Sequence, residues 1–187
     1  MATADYMDSK DENLLISIMK QDIEHGARLL MSKYKEPIYW HIRRLVVSHD
    51  DAQDAAQETF VRILRSFRQF KGDYCSFKTW IYQIATHEAL RLVERQRKEQ
   101  ISIDDPDSGS KELMAEEYVD YSDLEAVKLQ KAILSLPAKQ QLAFNLRYYD
   151  EMEYDEIARI SGSTAANVKA NYHIAKEKII KYMNSTD

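Results

Sequence analysis

The chain is poor in the residues that mark several large classes of protein. It has one cysteine, Cys75, which excludes a disulfide framework and favours a reducing compartment. Four glycines and three prolines are few for 187 residues, and the long periodic segments between them favour an all-α fold. No apolar run approaches the length of a membrane-spanning helix, and the N-terminus lacks the apolar core of a signal peptide. These absences predict a soluble, cytoplasmic protein that does not insert into a membrane.

Residues arranged for catalysis or metal binding are also scarce. His87 and Glu88 begin the HExxH pattern of zinc proteases, but Arg91 occupies the position of the second histidine. The other histidines lie singly, and the chain has neither a Gly-rich phosphate loop nor a nucleophile elbow. Cys75 has no obvious base beside it, which favours a packed or idle thiol. We therefore expect no catalytic residue, no cofactor and no metal ion.

The net charge of −5 argues against a protein that coats nucleic acid, but the acidic residues are unevenly distributed. Between Ile101 and Glu125, nine carboxylates accompany one lysine, so this segment carries a charge of −8 and the rest of the chain +3. The segment also contains Pro106, Gly109 and several serines without a sustained apolar period, which is typical of a linker. The predicted division is a helical domain at 11–100, an acidic linker at 101–122 and a second helical domain at 123–184.

Apolar periodicity predicts the helices of both blocks. A first amphipathic helix begins near Leu14 and runs through Tyr34, and Pro37 begins a second helix. Ser48 and Ser76 have the spacing of N-caps for two further helices. The C-terminal block compresses four helices into about 60 residues, which is the scale of a small DNA-binding domain.

The segment from Tyr154 to Lys178 has the spacing of a helix-turn-helix. Ala158 lets two helices cross closely, Gly162 can take the left-handed turn between them, and Val168 anchors the second helix on the first. The second helix would then present its outer face to a DNA major groove.

That outer face carries small, amide and cationic side chains opposite an apolar seam. Small residues approach bases closely, asparagine reads adenine edges, and lysine reads guanine or holds phosphate. Any amphipathic helix exposes similar residues, so an ordinary solvated face is the alternative. The candidate residues are Ala166, Asn167, Lys169, Ala170, His173 and Lys176.

A second candidate surface lies on the fourth predicted helix. Aromatic and basic side chains recur there at three- or four-residue steps, beside the irregular loop from Lys71 to Ser76. Such a combination suits unstacked bases and a single-strand backbone, although a charged face above a tryptophan-anchored core is an equally simple explanation. The candidate residues are Trp80, Gln83, His87, Arg91 and Arg95.

Three strings in this order resemble the sigma-70 superfamily, specifically the extracytoplasmic function (ECF) group of bacterial sigma factors. They are DAQDAAQETF from Asp51, FKGDYCSFKTWIYQIA from Phe70 and LPAKQQLAFNLRYYDEMEYDEIA from Leu136. The resemblance covers nearly the whole chain from about Asp11. It implies an all-α protein with a sigma-2 helical bundle and a sigma-4 helix-turn-helix domain, which bind core RNA polymerase and bridge a promoter.

The resemblance also implies roles for particular residues. The helix that begins near Asp51 would dock on the polymerase β′ clamp, and the β flap is the second polymerase contact. The Lys71–Ser76 loop and the next helix would read and open the −10 element, whereas the recognition helix would read the −35 element as duplex. The implied polymerase-binding residues are Asp51, Asp54, Gln57, Glu58 and Phe60. The −35 set is extended by Arg147, Tyr154, Asp155 and Asn171.

Several positions depart from the family pattern, since Gln83, Asn171 and Ile174 replace frequent arginines and His87 a frequent asparagine. Fewer cations predict weaker and less salt-dependent DNA binding by the isolated chain. A sigma-like interaction protein that binds polymerase or a regulator without melting promoters is therefore a second hypothesis. A helix-turn-helix repressor is a third, but it leaves the first two strings unexplained. The resemblance further implies control by an anti-sigma factor, because the group lacks the larger autoinhibitory regions of primary sigma factors.

Overall fold

The computed structural model describes residues 2–46, 48–102 and 124–185. Across these ranges the chain forms eight α-helices and no β-strand, so the all-α prediction is confirmed. A short 3-10 turn, Phe67–Gln69, follows the third helix. The predicted linker lies outside the described residues except for its first two positions, which are helical. The helices are α1 (Ala2–Gln21), α2 (Ile23–Val46), α3 (His49–Ser66), α4 (Phe77–Ser102), α5 (Leu124–Leu134), α6 (Ala138–Tyr148), α7 (Tyr154–Ser161) and α8 (Ala165–Asn184).

The boundary between α1 and α2 differs from the prediction, because α2 continues through Pro37 instead of beginning there. The break falls at Asp22, whose Oδ1 accepts hydrogen bonds from the backbone N–H groups of Glu24 and His25, each at 3.0 Å. This carboxylate caps the first turn of α2. Gly26 lets the two helices approach, since a Cβ atom there would collide with α1. Pro37 is exposed, and the helix continues without the hydrogen bond that its missing N–H would make.

Three helix N-termini are capped by hydroxyl groups. Ser48 accepts a hydrogen bond from the backbone N–H of Asp51 at 3.4 Å, and Ser76 accepts one from Thr79 at 3.1 Å. Both caps were predicted from spacing. Thr164 caps α8 in the same way.

Helices α1–α4 form the first bundle, and α5–α8 form the second bundle. Fully buried side chains such as Leu30, Ile63 and Phe77 fill the core of the first bundle. A separate cluster in the second bundle joins α5, α6 and α8 through side chains such as Ile133 and Phe144. None of the helices in the described ranges is long and apolar enough to cross a membrane.

The two bundles are packed against each other. One apolar core extends from the first bundle into α6, α7 and the start of α8, where it includes Leu146, Ile157 and Val168. Helix α7 packs on α4, and the Thr79 hydroxyl donates a hydrogen bond to Oε1 of Glu156 at 2.8 Å across this junction. The helix-turn-helix is therefore held against the first bundle.

Candidate polymerase and promoter interfaces

The recognition helix α8 divides into an inner and an outer face, as its period predicts. Gly162 ends α7 with φ +62° and ψ +36°, the left-handed turn expected of it. Val168, Ala175 and Ile179 are buried, and Tyr172 is partly buried. Asn171 is half-buried at the edge of the outer face. The candidate residues exposed together on that face are Ala166, Asn167, Lys169, Ala170, His173 and Lys176.

Arg147 fixes the turn that leads into the helix-turn-helix. Its Nη1 donates to the carbonyl oxygen of Met152 at 2.8 Å and to Oε1 of Glu153 at 3.0 Å. The guanidinium also lies over the ring of Tyr154, 5.1 Å from its centroid. The hydrogen bond to Glu153 raises the pKa of Arg147, so the guanidinium stays protonated. Asp155 is exposed in the first turn of α7, beside this cluster.

The candidate residues of α4 share one face but differ in exposure. His87, Arg91 and Arg95 are exposed, whereas Trp80 and Gln83 are half-buried. The Trp80 ring stacks on Phe77, with 5.7 Å between centroids, and lies 5.1 Å from that of Phe70. This aromatic cluster supports the end of the Lys71–Ser76 loop.

Tyr74 is a residue of that loop which the motif analysis did not single out. It is 86% exposed, and among the large apolar and aromatic residues at 10–46, 48–96 and 125–185 the next most exposed is Leu14 at 61%. It follows Gly72, whose φ of +74° turns the backbone before α4. The available signal was an aromatic residue in an irregular loop, next to Asp73.

An apolar groove of about 900 Å³ lies on the surface where α2 and α3 pack together. Trp40, Met31 and Val61 line it and are 47%, 44% and 39% exposed. Of the predicted polymerase-binding residues, Gln57 and Phe60 lie in this groove.

The three carboxylates of that predicted set do not line the groove. Asp51 faces α4, where its Oδ2 accepts a hydrogen bond from Nε2 of Gln96 at 2.7 Å. Asp54 is exposed and Glu58 half-buried. The sequence predicted the α3 helix but not the α2 side of the groove. The groove brings together residues about 20 positions apart, and no periodic pattern along the chain connects them.

Two models of protein families match this chain. The model described as sigma-70 region 2 matches residues 30–99, and the model described as sigma-70, region 4 matches residues 126–179. The ECF RNA polymerase sigma-E factor of Escherichia coli strain K12 is 30% identical over 178 residues, which are 90% of this chain and 92% of that protein. The chain belongs to the extracytoplasmic function group of the sigma-70 family.

This ECF sigma factor has further relatives that match most of its length. The RNA polymerase sigma-H factor of Pseudomonas aeruginosa is 29% identical over 181 residues, which cover 92% of this chain and 93% of that one. The solved structure of the sigma factor RpoE in complex with the anti-sigma factor NepR, from Bartonella quintana, matches with a TM-score of 0.65 and 20% identity. That match covers 89% of this chain and 99% of the solved chain and shows a common fold.

The family assigns the general activity of this ECF sigma factor. It is an RNA polymerase sigma factor that directs transcription initiation. Members of the family are transcription regulators and not enzymes. The region 2 match contradicts the repressor hypothesis, since a repressor with a helix-turn-helix alone would have no such region.

Proposed function

We propose that this sigma factor initiates transcription through three surfaces: the groove between α2 and α3 for core polymerase, the Lys71–Ser76 loop with α4 for the −10 element, and the outer face of α8 for the −35 element. The observation that carries the proposal is the α8 face, which exposes six small, amide and basic residues directly opposite a buried seam. We also propose that 11–100 and 123–184 act as separate domains joined by the acidic segment 101–122.

The groove has the chemistry of a protein-binding surface. Large apolar side chains such as Trp40 and Met31 are exposed along the same groove, and exposed apolar surface of this kind usually serves a partner. A helix of the polymerase β′ clamp laid in the groove would cover them. Asp54, Asp51 and Glu58 lie on the same helix outside the groove, where they would attract basic groups of the clamp and speed association.

The loop and α4 have the chemistry needed to hold an opened strand. A base that leaves the duplex loses stacking energy, and an exposed aromatic ring replaces part of it. Tyr74 provides such a ring, while Trp80 supports the loop from beneath. Arg91 and Arg95 would hold the backbone, and Gln83 and His87 lie between them and the loop.

The α8 face would read duplex DNA. Asn167 and Lys169 can reach base edges near the start of the helix, and Lys176 can hold a phosphate. Arg147 acts chiefly by fixing the turn before Tyr154, with Asp155, Ala166, Ala170, Asn171 and His173 completing the surface. The β flap of the polymerase would bind this second bundle.

Regulation by an anti-sigma factor is part of the proposal. Its support is the related RpoE structure, which was solved with the anti-sigma factor NepR. We further infer that the protein acts in the cytoplasm, where core polymerase is found, and that it has no catalytic activity of its own.

Transcription in vitro with purified core polymerase and genomic DNA tests the proposal. We expect promoter-specific transcripts with the wild-type chain. Core binding without such transcripts would instead support the sigma-like interaction protein. In a binding titration with a duplex that carries the −35 element, Lys169→Ala should weaken binding and reduce the slope of log K against log salt concentration by about one. Lys181→Ala is the matched control, because Lys181 is exposed on the last turn of the same helix. Equal effects of both variants would remove the α8 face from the proposal.

A further inference from the structure

Asp150, in the loop between α6 and α7, is bound by side chains of the first bundle. Nη2 of Arg44 donates to both of its carboxylate oxygens, at 2.9 and 3.0 Å. The Tyr82 hydroxyl donates to Oδ1 at 3.2 Å, and Nδ1 of His41 lies 3.5 Å from Oδ2. Arg44 and His41 belong to α2 and Tyr82 to α4. This Asp150 cluster therefore joins the two bundles.

The surroundings of the cluster strengthen it. The carboxylate is only 6% exposed and the Arg44 side chain 12%, so solvent screens the pair little. The Arg44 guanidinium also lies over the ring of Tyr149, 4.5 Å from its centroid. Gln141 donates to the backbone carbonyl of Arg44 at 3.2 Å. These hydrogen bonds from a charged donor are stronger than neutral ones, and together with the Tyr82 and Gln141 contacts they favour one arrangement of the bundles.

In that arrangement the two surfaces proposed for DNA are neighbours. His87 of α4 and Asn171 of α8 line the same cleft, whose volume is about 240 Å³. The −10 and −35 elements are about 25 base pairs apart, which corresponds to roughly 85 Å of B-DNA at 3.4 Å per base pair. A chain whose two reading surfaces share one cleft does not span that distance. The bundles must separate before both elements are bound.

We propose that the Asp150 cluster is a latch that holds the free sigma factor in a closed arrangement and limits its initiation activity until it opens. The proposal rests on the proposed function, because it requires both surfaces to face DNA. A ligand that binds only the open form has its apparent affinity reduced by the open fraction. The latch therefore sets how much sigma factor is needed to saturate the polymerase.

Asp150→Asn is the test variant, since it removes the charge and keeps the size. The named partners of Asp150 all lie in the first bundle, so the second bundle keeps its own packing. Glu151→Gln is the matched control, because it makes the same charge change at an exposed neighbour. Tyr82→Phe is a second variant that removes one donor to the latch and retains the buried ring.

Small-angle X-ray scattering of the free proteins, without polymerase, measures whether the two bundles are together or apart. A compact chain of this length has a radius of gyration of about 16 Å. We expect a value near this for wild type and Glu151→Gln, and a larger one for Asp150→Asn. In a titration against core polymerase and a promoter template, Asp150→Asn should reach half-maximal initiation at about ten-fold lower concentration, with an unchanged plateau. Tyr82→Phe should shift both readings in the same direction by a smaller amount.

Unchanged scattering and an unchanged half-maximal concentration for Asp150→Asn would overturn the latch. If circular dichroism shows that Asp150→Asn is unfolded, Tyr82→Phe decides: no shift in either measurement overturns the proposal. A wild-type chain that binds core polymerase but initiates at no promoter would refute the proposed function instead, and the scattering comparison would still decide the latch.

Discussion

Tyr74→Ala should slow promoter opening without weakening the fold. Its side chain is 86% exposed, so its removal takes little packing from the folded chain. A stacked base contributes about 1–3 kcal/mol to single-strand binding. Its loss corresponds to a decrease of about 5- to 150-fold in the formation of the open complex. Tyr74→Phe keeps the ring and should retain most of the activity.

The assay is the fluorescence of 2-aminopurine in the −10 element, which rises when the base unstacks. Duplex binding is measured separately by anisotropy on a fragment with the −35 element alone, and should be unchanged. Thermal unfolding followed by circular dichroism should give the same midpoint for all three proteins. Wild-type rates of opening for Tyr74→Ala would refute base stacking by this ring. An equal loss in Tyr74→Phe would assign the effect to the hydroxyl group.

Two further predictions concern the groove and the Asp150 cluster. Trp40→Ala should weaken binding to core polymerase by about 30-fold, the effect of losing a hot-spot residue. Leu14→Ala, which removes a more exposed apolar side chain on α1 (61% against 47%), should leave the affinity unchanged in a fluorescence titration. Burial raises the pKa of Asp150, but His41 and Arg44 lower it, and the net pKa is below 3.8. The ionised carboxylate therefore stabilises the closed form above that value, and this stabilisation is lost as pH falls through the lowered pKa. As the pH is lowered from 5 to 3, the radius of gyration of the wild type should rise towards that of Asp150→Asn. A difference between the two radii that stays constant over this range would contradict the prediction.

The helix-turn-helix was predictable from sequence because its determinants are local. The positive φ of Gly162, the cap at Thr164 and the buried seam of α8 each follow from residues within about ten positions. The boundary at Asp22 was missed for an opposite reason. Proline is a stronger signal in sequence than a capping aspartate, yet Pro37 is exposed in a helix that tertiary packing maintains.

The groove and the Asp150 cluster were not predictable, since both depend on pairs distant in sequence. Asp150 is 106 residues from Arg44 and 68 from Tyr82. Read along the chain, Asp150 is a polar residue in the turn that follows a helix. Its role depends on how the bundles meet, and no periodicity in either bundle specifies that contact.

The cleft between α4 and the helix-turn-helix has an apolar wall. Separation of the bundles would therefore lower the solubility of the protein. Leu142, Ile157 and Ile160 line that cleft beside Leu90. When the bundles part, these side chains meet water, and exposed apolar patches promote association with other chains. The separated molecule is thus a short-lived species unless another protein covers it. On this view closure also protects a free sigma factor from aggregation while it waits for polymerase.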